Sequence, residues 1–306
     1  MATTTAHAHA HHDDTPQTTG GKYYVPHDSP WPIYGSATLF VLMIGVCGWL
    51  NEWYGPWLFL LGLAMLFGLF AGWFGTVIGE NQKGMYDMQV DKSFRMGMMW
   101  FIFSEVMFFA AFFGALFYAR QFSVPWLGGD GVKVFNKLML WKDFENAWPS
   151  NGPMRVSPRD DGSFETIPAF GLPAINTAIL LTSGVTITIA HHALRENKRA
   201  ILNIFLAATF LLGFLFVGLQ AEEYHHAYTE LGLKLSTGIY GSTFFMLTGF
   251  HGLHVTIGAI MLLVIWLRTM SGHFTPKRHF AFEAVAWYWH FVDVVWLGLF
   301  IFVYWL

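Results

Sequence analysis

Seven long apolar runs alternate with polar stretches along this chain, at roughly residues 32–50, 56–79, 97–119, 172–190, 200–221, 239–267 and 284–305. Each reaches the about 17–25 residues that an α-helix needs to cross a bilayer, and the sixth is long enough to tilt or protrude. None contains Lys or Arg. Trp31, Tyr34, Trp49, Trp53, Trp57, Trp287, Tyr304 and Trp305 gather near the ends of the runs, as in an aromatic belt. The pattern predicts an all-α membrane protein with seven transmembrane helices. The expected organisation is a polar His-rich tail over 1–30, two helices within 31–80, and five more within 81–306 with a large loop at 120–171.

Composition agrees. The 306 residues are 54% hydrophobic and only 12% charged, against about 25% charged in soluble domains. The formal net charge of −3 gives no footprint for nucleic acid. The single cysteine, Cys47, excludes an intrachain disulfide and a thiolate metal cluster. No secretory leader is visible. The tail carries His7, His9, His11 and His12, a tract that could bind a metal ion weakly but reads first as part of a solvated, disordered segment.

Lys and Arg set the expected orientation. Ten of them fall in the tail and in the loops after the second, fourth and sixth runs. The opposite side holds Lys234 and the six in the 120–171 loop, which is near the length limit of the rule. The N-terminus is therefore expected in the cytoplasm, and the C-terminus and the long loop outside. Pro125, Gly128, Gly129, Gly131, Pro149, Gly152, Pro153 and Pro158 make that loop irregular, with room for one short helix.

Several residues are candidates for chemistry. Glu105 stands about nine residues into the third run, roughly 13 Å deep, and is read as the one carboxylate near the bilayer centre. A charge there is costly, which marks it as a functional candidate; the competing reading is a neutral group bonded across a helix interface. His251 and His254 share one helix face at i, i+3, and His290 and Asp293 repeat that spacing. The other histidines, including His191, His192, His225 and His226, are scattered, so interhelical hydrogen bonding is expected and a metal site is not. Gly68 with Gly72, and Gly75 with Gly79, make two small-xxx-small repeats that read as a helix-packing face. Glu80, Lys83, Arg95, Arg268, Lys277 and Arg278 sit at cytoplasmic helix ends, as a topology signal or as a pocket for lipid head groups.

Longer strings carry a resemblance. Ser29-Pro-Trp31-Pro, Phe103-Ser-Glu105-Val-Met-Phe-Phe, Leu172-Pro-Ala-Ile-Asn176-Thr, Ser183 to His192, and Gln220-Ala-Glu222-Glu223-Tyr are idiosyncratic. So are Tyr240 to Val255 with Gly-Phe-His251-Gly-Leu-His254, and Phe282-Glu283-Ala-Val-Ala-Trp-Tyr-Trp-His290-Phe-Val-Asp293. Over residues 30–306 the chain resembles subunit III of the bacterial aa3-type haem–copper cytochrome c oxidases. The resemblance implies helices 1 and 2 splayed from a 3–7 bundle, with phospholipids in the cleft. It implies a non-catalytic subunit of a proton-pumping oxidase in a bacterial inner membrane, which stabilises subunit I and supports proton uptake and sustained turnover. Implied partners are oxidase subunits I and II, a small subunit IV, membrane lipids, and cytochrome c as electron donor to the complex. Haem a and copper are implied in the partner subunits, with no catalytic residue and no metal in this chain. Glu105 matches the family's buried, carbodiimide-reactive carboxylate. Trp73, Glu80, Arg268, His273, Arg278 and Phe280 match its lipid-binding positions. The chain departs from many relatives in reading Trp73-Phe-Gly75-Thr-Val-Ile-Gly79-Glu80, without the two basic residues they carry there, so head-group binding there rests more on Arg268, Lys83 and Arg95. Quinol oxidases usually have five spans in this subunit, and seven favours the cytochrome c branch. A proton-coupled transporter built around Glu105 would need broken helices or repeats, which the sequence lacks. A membrane metalloenzyme would hold iron or zinc in the isolated chain.

Overall fold

A computed structural model describes residues 24–25 and 28–306; the polar tail's histidines lie outside the described residues. Among the described residues, seven helices are long and apolar enough to cross a membrane. They are α1 (Trp31–Leu50), α2 (Trp57–Gln82), α3 (Met88–Tyr118), α4 (Leu172–Arg195), α5 (Arg199–Thr229), α6 (Gly238–Met270) and α7 (Phe280–Leu299). Most extend beyond the apolar runs. The runs are bounded by polar and charged stretches, whereas a helix continues wherever a cap or a salt bridge supports it. Thus α3 begins nine residues before its run, where the Asp87 carboxylate accepts from the Val90 N–H at 2.8 Å and Asp91 pairs with Arg95 one turn on.

The chain divides into two compact units, Met1–Met96 and Gly97–Leu306. In the first, α1 and α2 form a hairpin. Its helices are apolar all round, as expected of segments facing lipid. They approach closely at two glycines outside the small-xxx-small repeats. A Cβ on Gly45 would lie 2.5 Å from the Phe59 backbone nitrogen, and one on Gly62 would lie 2.6 Å from the Leu42 Cα. Tyr54 closes the turn by donating to the Ile44 carbonyl at 2.8 Å. The repeats themselves divide: Gly72 lies under the Trp31 ring and Gly68 near Tyr34, whereas Gly75 and Gly79 face open space among the described residues.

The second unit is a bundle built around two tryptophans of α7. Trp289 and Trp296 are fully buried, and their indole N–H groups donate to Ser183 Oγ and Thr177 Oγ1 of α4, each at 2.9 Å. Gly213 of α5 and Gly258 of α6 make room for the Trp289 ring. Further interhelical bonds join Thr186 to Thr209 (2.8 Å), Tyr224 to Thr248 (2.7 Å) and Tyr304 to Glu223 (2.6 Å). In hydrocarbon each such pair satisfies groups that water cannot reach. The helix α3 meets its neighbours through Phe108, Phe109, Phe112 and Phe113, whose rings contact Phe250, Phe291 and Phe302.

The 120–171 segment contains several short helical turns rather than one. It is pinned to the α5–α6 turn: Glu165 N–H donates to the Leu231 carbonyl at 2.9 Å, Tyr240 N–H to the Ser150 carbonyl at 3.1 Å, and the Tyr240 ring stacks on Phe164.

Candidate functional site

Glu105 is not alone. His254 of α6 brings its Nε2 to 2.9 Å from Glu105 Oε2 and its Nδ1 to 2.7 Å from the Phe250 carbonyl. A carbonyl only accepts, so Nδ1 carries a hydrogen. A 2.9 Å contact between Nε2 and the carboxyl needs a hydrogen between them, and one shared proton would leave the pair without net charge on whichever atom it sat. Neutrality accounts for an acid and a base at membrane depth without a counter-ion. Phe108, Phe109, Tyr288 and Phe291 surround the imidazole at ring distances of 5.0–6.4 Å. The Glu105 side chain keeps 23% of its surface and His254 keeps 12%, so the carboxyl is the more exposed member of the pair.

The second histidine of the α6 motif behaves differently. His251 is fully buried, lies 3.1 Å through Nε2 from the Val292 carbonyl of α7, and packs on Trp296. Both histidines thus make the interhelical bonds that their spacing suggests, but with different helices.

Asp293, besides being the i, i+3 companion of His290, is a second carboxyl about as far into its apolar run as Glu105 is into its own. Its Oδ2 lies 3.7 Å from His290 Nδ1, and His290 Nε2 lies 3.4 Å from Thr188 Oγ1 of α4. Asp293 Oδ1 is buried without a hydrogen-bond partner among the described residues. These three side chains edge an otherwise apolar groove of about 390 Å³ between α4 and α7, with Leu181, Val185, Ile189 and Leu297 on its walls. The helical spacing of His290 and Asp293 was readable; the groove was not.

The lipid-site candidates fall in both units. In the first, Trp73 is exposed and Glu80 accepts from the Tyr24 and Tyr86 hydroxyls at 3.0 and 2.6 Å. Burial, and then the neighbouring Glu80 carboxylate, hold the Tyr86 phenol above its usual range. Glu80 and Lys83 stand at one end of a groove of about 630 Å³ floored by Gly72, Gly75, Thr76 and Gly79.

In the second unit Arg268, at the end of α6, lays its guanidinium over the Phe274 ring at 4.6 Å. Arg199, which the sequence reading counted only for topology, donates to the Phe274 carbonyl at 2.6 Å. Arg268 Nε and Arg199 Nη1 are both buried without a hydrogen-bond partner among the described residues. The turn also carries His273, exposed, with its N–H donating to the Arg268 carbonyl at 3.1 Å; Arg278, whose N–H donates to Thr275; and Phe280, whose ring meets Trp287. The guanidinium groups of Arg268, at the end of α6, and Arg199, at the start of α5, meet at Phe274, and such a cationic pair suits a phosphate oxygen.

A family model described as cytochrome c oxidase subunit III matches residues 21–137 and 153–306. Proteins named cytochrome c oxidase subunit 3 are 41% identical in Dugong dugon, 40% in Squalus acanthias and 42% in Mus musculus. Each match covers 92% of this chain and 96% of the relative.

Proposed function

This chain belongs to the cytochrome c oxidase subunit III family, and from that premise we propose that it supports oxygen reduction and proton translocation by its partners without reacting itself. Haem a and copper then reside in subunits I and II, which receive electrons from cytochrome c. The observation that carries the reading is the Glu105–His254 pair, a neutral acid–base couple sharing one proton at membrane depth. Such a couple responds to a nearby proton path by moving its proton from one atom to the other, with no change in net charge. We place its influence on proton uptake by subunit I.

Two further features support the support role. The α4–α7 groove exposes an apolar wall edged by Thr188, His290 and Asp293, which suits the flank of a partner helix. The glycine-floored groove beside Glu80 and Lys83 suits an acyl chain lying against bare backbone with its head group at Lys83. Arg268, with His273, Arg278 and Phe280 on the turn that follows it and Arg199 reaching that turn from the start of α5, suits a phosphodiester. Bound phospholipid would stiffen these faces and sustain turnover. The Lys and Arg bias supports an N-terminus on the cytoplasmic side of the membrane.

The test is gentle purification through this chain, followed by a reduced-minus-oxidised spectrum and metal and subunit stoichiometry. Haem a and copper in fixed ratio, with catalysis that runs down faster when this chain alone is stripped away, support the reading. A colourless, metal-free preparation without partner chains would overturn it.

A further inference from the structure

The residues best arranged for a ligand outside the features above lie where α4 ends and α7 begins. His191, in the last turn of α4, brings Nε2 to 3.4 Å from Nε2 of His279. Glu283, one turn into α7, places Oε1 at 3.2 Å from the His279 nitrogen and 3.7 Å from that of His191. All three are half-buried, and their ligand atoms lie within 4.8 Å of one another.

Those separations have a meaning. A tetrahedral ion with bonds of about 2.0–2.1 Å to nitrogen and oxygen has ligand–ligand edges of about 3.3–3.4 Å. The observed edges of 3.4, 3.2 and 3.7 Å outline one face of such a tetrahedron with little movement required. Calcium and magnesium favour sets made of oxygen alone, so two imidazoles select a transition ion.

Proton accounting leads to the same ligand. His279 Nδ1 lies 3.1 Å from the Thr275 carbonyl, which only accepts, so the hydrogen sits on Nδ1 and Nε2 presents a lone pair. A backbone carbonyl behind the remote nitrogen is the usual outer support of a metal-bound histidine. The lone pair faces a carboxylate oxygen and a second imidazole nitrogen, an arrangement that a cation at the centre of the triangle would stabilise. The frame is rigid: Phe282, fully buried between His279 and Glu283 in sequence, packs its ring against His191 at 5.5 Å. It is also open, since the His191 side chain keeps 29% of its surface and Glu283 keeps 16%, which leaves a fourth position to water.

We propose that His191, His279 and Glu283 form a binding site for a divalent transition ion of the zinc type, with water as the fourth ligand. The ion would clamp the end of α4 to the start of α7. The spacing of these residues in sequence, 88 positions between the histidines, hid the site; only the i, i+4 pair of His279 and Glu283 was available as a signal.

The experiment uses the assembled oxidase with His7, His9, His11 and His12 changed to Ala, so that the tail does not compete. After chelator washing, zinc uptake is measured by equilibrium dialysis, and the zinc environment by X-ray absorption at the zinc edge. The expected result is one equivalent per copy of this chain with a four-coordinate nitrogen and oxygen shell. Its affinity should fall about tenfold or more in H191Q and in E283Q, while the subunit ratio and haem content stay unchanged. Unchanged uptake in both variants, or a six-coordinate oxygen shell in the unsubstituted site, overturns the assignment. If H191Q fails to assemble, E283Q and the unsubstituted complex still decide it.

Discussion

Replacing Glu105 by Gln and by Leu separates two roles that the wild-type residue combines. Because the Phe250 carbonyl fixes the hydrogen on His254 Nδ1, Nε2 remains an acceptor once the shared proton is gone. A Gln amide at 105 donates to it, so E105Q keeps the hydrogen bond and removes only the movable proton. A Leu side chain fills the space but leaves Nε2 facing Phe108, Phe109 and Tyr288 with no donor. An unsatisfied buried acceptor costs about 1–3 kcal/mol, and interhelical bonds in membranes average about 0.6 kcal/mol. E105L should therefore lower the stability of the α3–α6 contact by about 1–3 kcal/mol, and E105Q by less than about 0.6 kcal/mol. The assays are thermal retention of this chain in the purified complex, proton uptake by vesicle-reconstituted enzyme, and the number of turnovers before inactivation. E105Q should assemble and melt like wild type while its proton uptake slows and its turnover lifetime shortens. Wild-type proton uptake and lifetime in E105Q, with losses confined to E105L, would refute the reasoning and leave the pair as a helix clamp.

Three other outcomes are expected. An Ala at 258 or 213 would set a Cβ 2.8 or 2.6 Å from the Trp289 ring, and overpacking of about 1–3 kcal/mol outweighs the about 1 kcal/mol of helix propensity gained; both variants should melt lower, whereas G218A, with nothing within 4 Å, should melt no lower than wild type. Equal melting of all three would discount the tight fit around the indole. R268Q should reduce phospholipid retained per complex in lipid analysis, and full retention would count against the α6–α7 turn as a head-group site. Bonds from the Ser163 hydroxyl and N–H, at 2.7 and 2.9 Å, hold the Asp161 carboxyl below its usual range. Its contribution to loop order is thus complete above about pH 4 and lost as the pH falls through the lower folded value; amide exchange at Ser163 should accelerate over that window in wild type and show no such step in D161N.

The seven helices were legible because bilayer thickness sets a length that few other structures demand, and 18 or more apolar residues without charge meet it. Their ends were less so. The third run begins only beyond the charged stretch that ends at Arg95, but Asp87 caps α3 and the Asp91–Arg95 pair supports its first turns, so the helix starts at Met88 rather than near 97. The glycine repeats illustrate a different gap. Two residues four apart mark a surface on which a helix can approach, yet the closest approach falls at Gly45 and Gly62, which share no repeat, because the crossing point depends on how both helices are rotated.

At the candidate sites the sequence named one partner and the fold supplied the other. His251 and His254 share a face at i, i+3, but a small difference in direction sends one to α7 and the other to α3. Glu105 was conspicuous as an acid in an apolar run; that its cost is met by a histidine 149 positions away was not, since sequence separation carries no information about which helix faces share a depth. Arg199 and Arg268 show the same limit from the other side. Both counted equally as cytoplasmic charge, and only their meeting at Phe274, one on its carbonyl and one on its ring, distinguishes them from the other basic residues at helix ends. Positive charge at the membrane surface is a bulk electrostatic signal, satisfied by any arrangement of the side chains. A site is a statement about which donors remain unspent after folding, and around Phe274 the buried donors without a partner among the described residues include Arg199 Nη1 and Arg268 Nε.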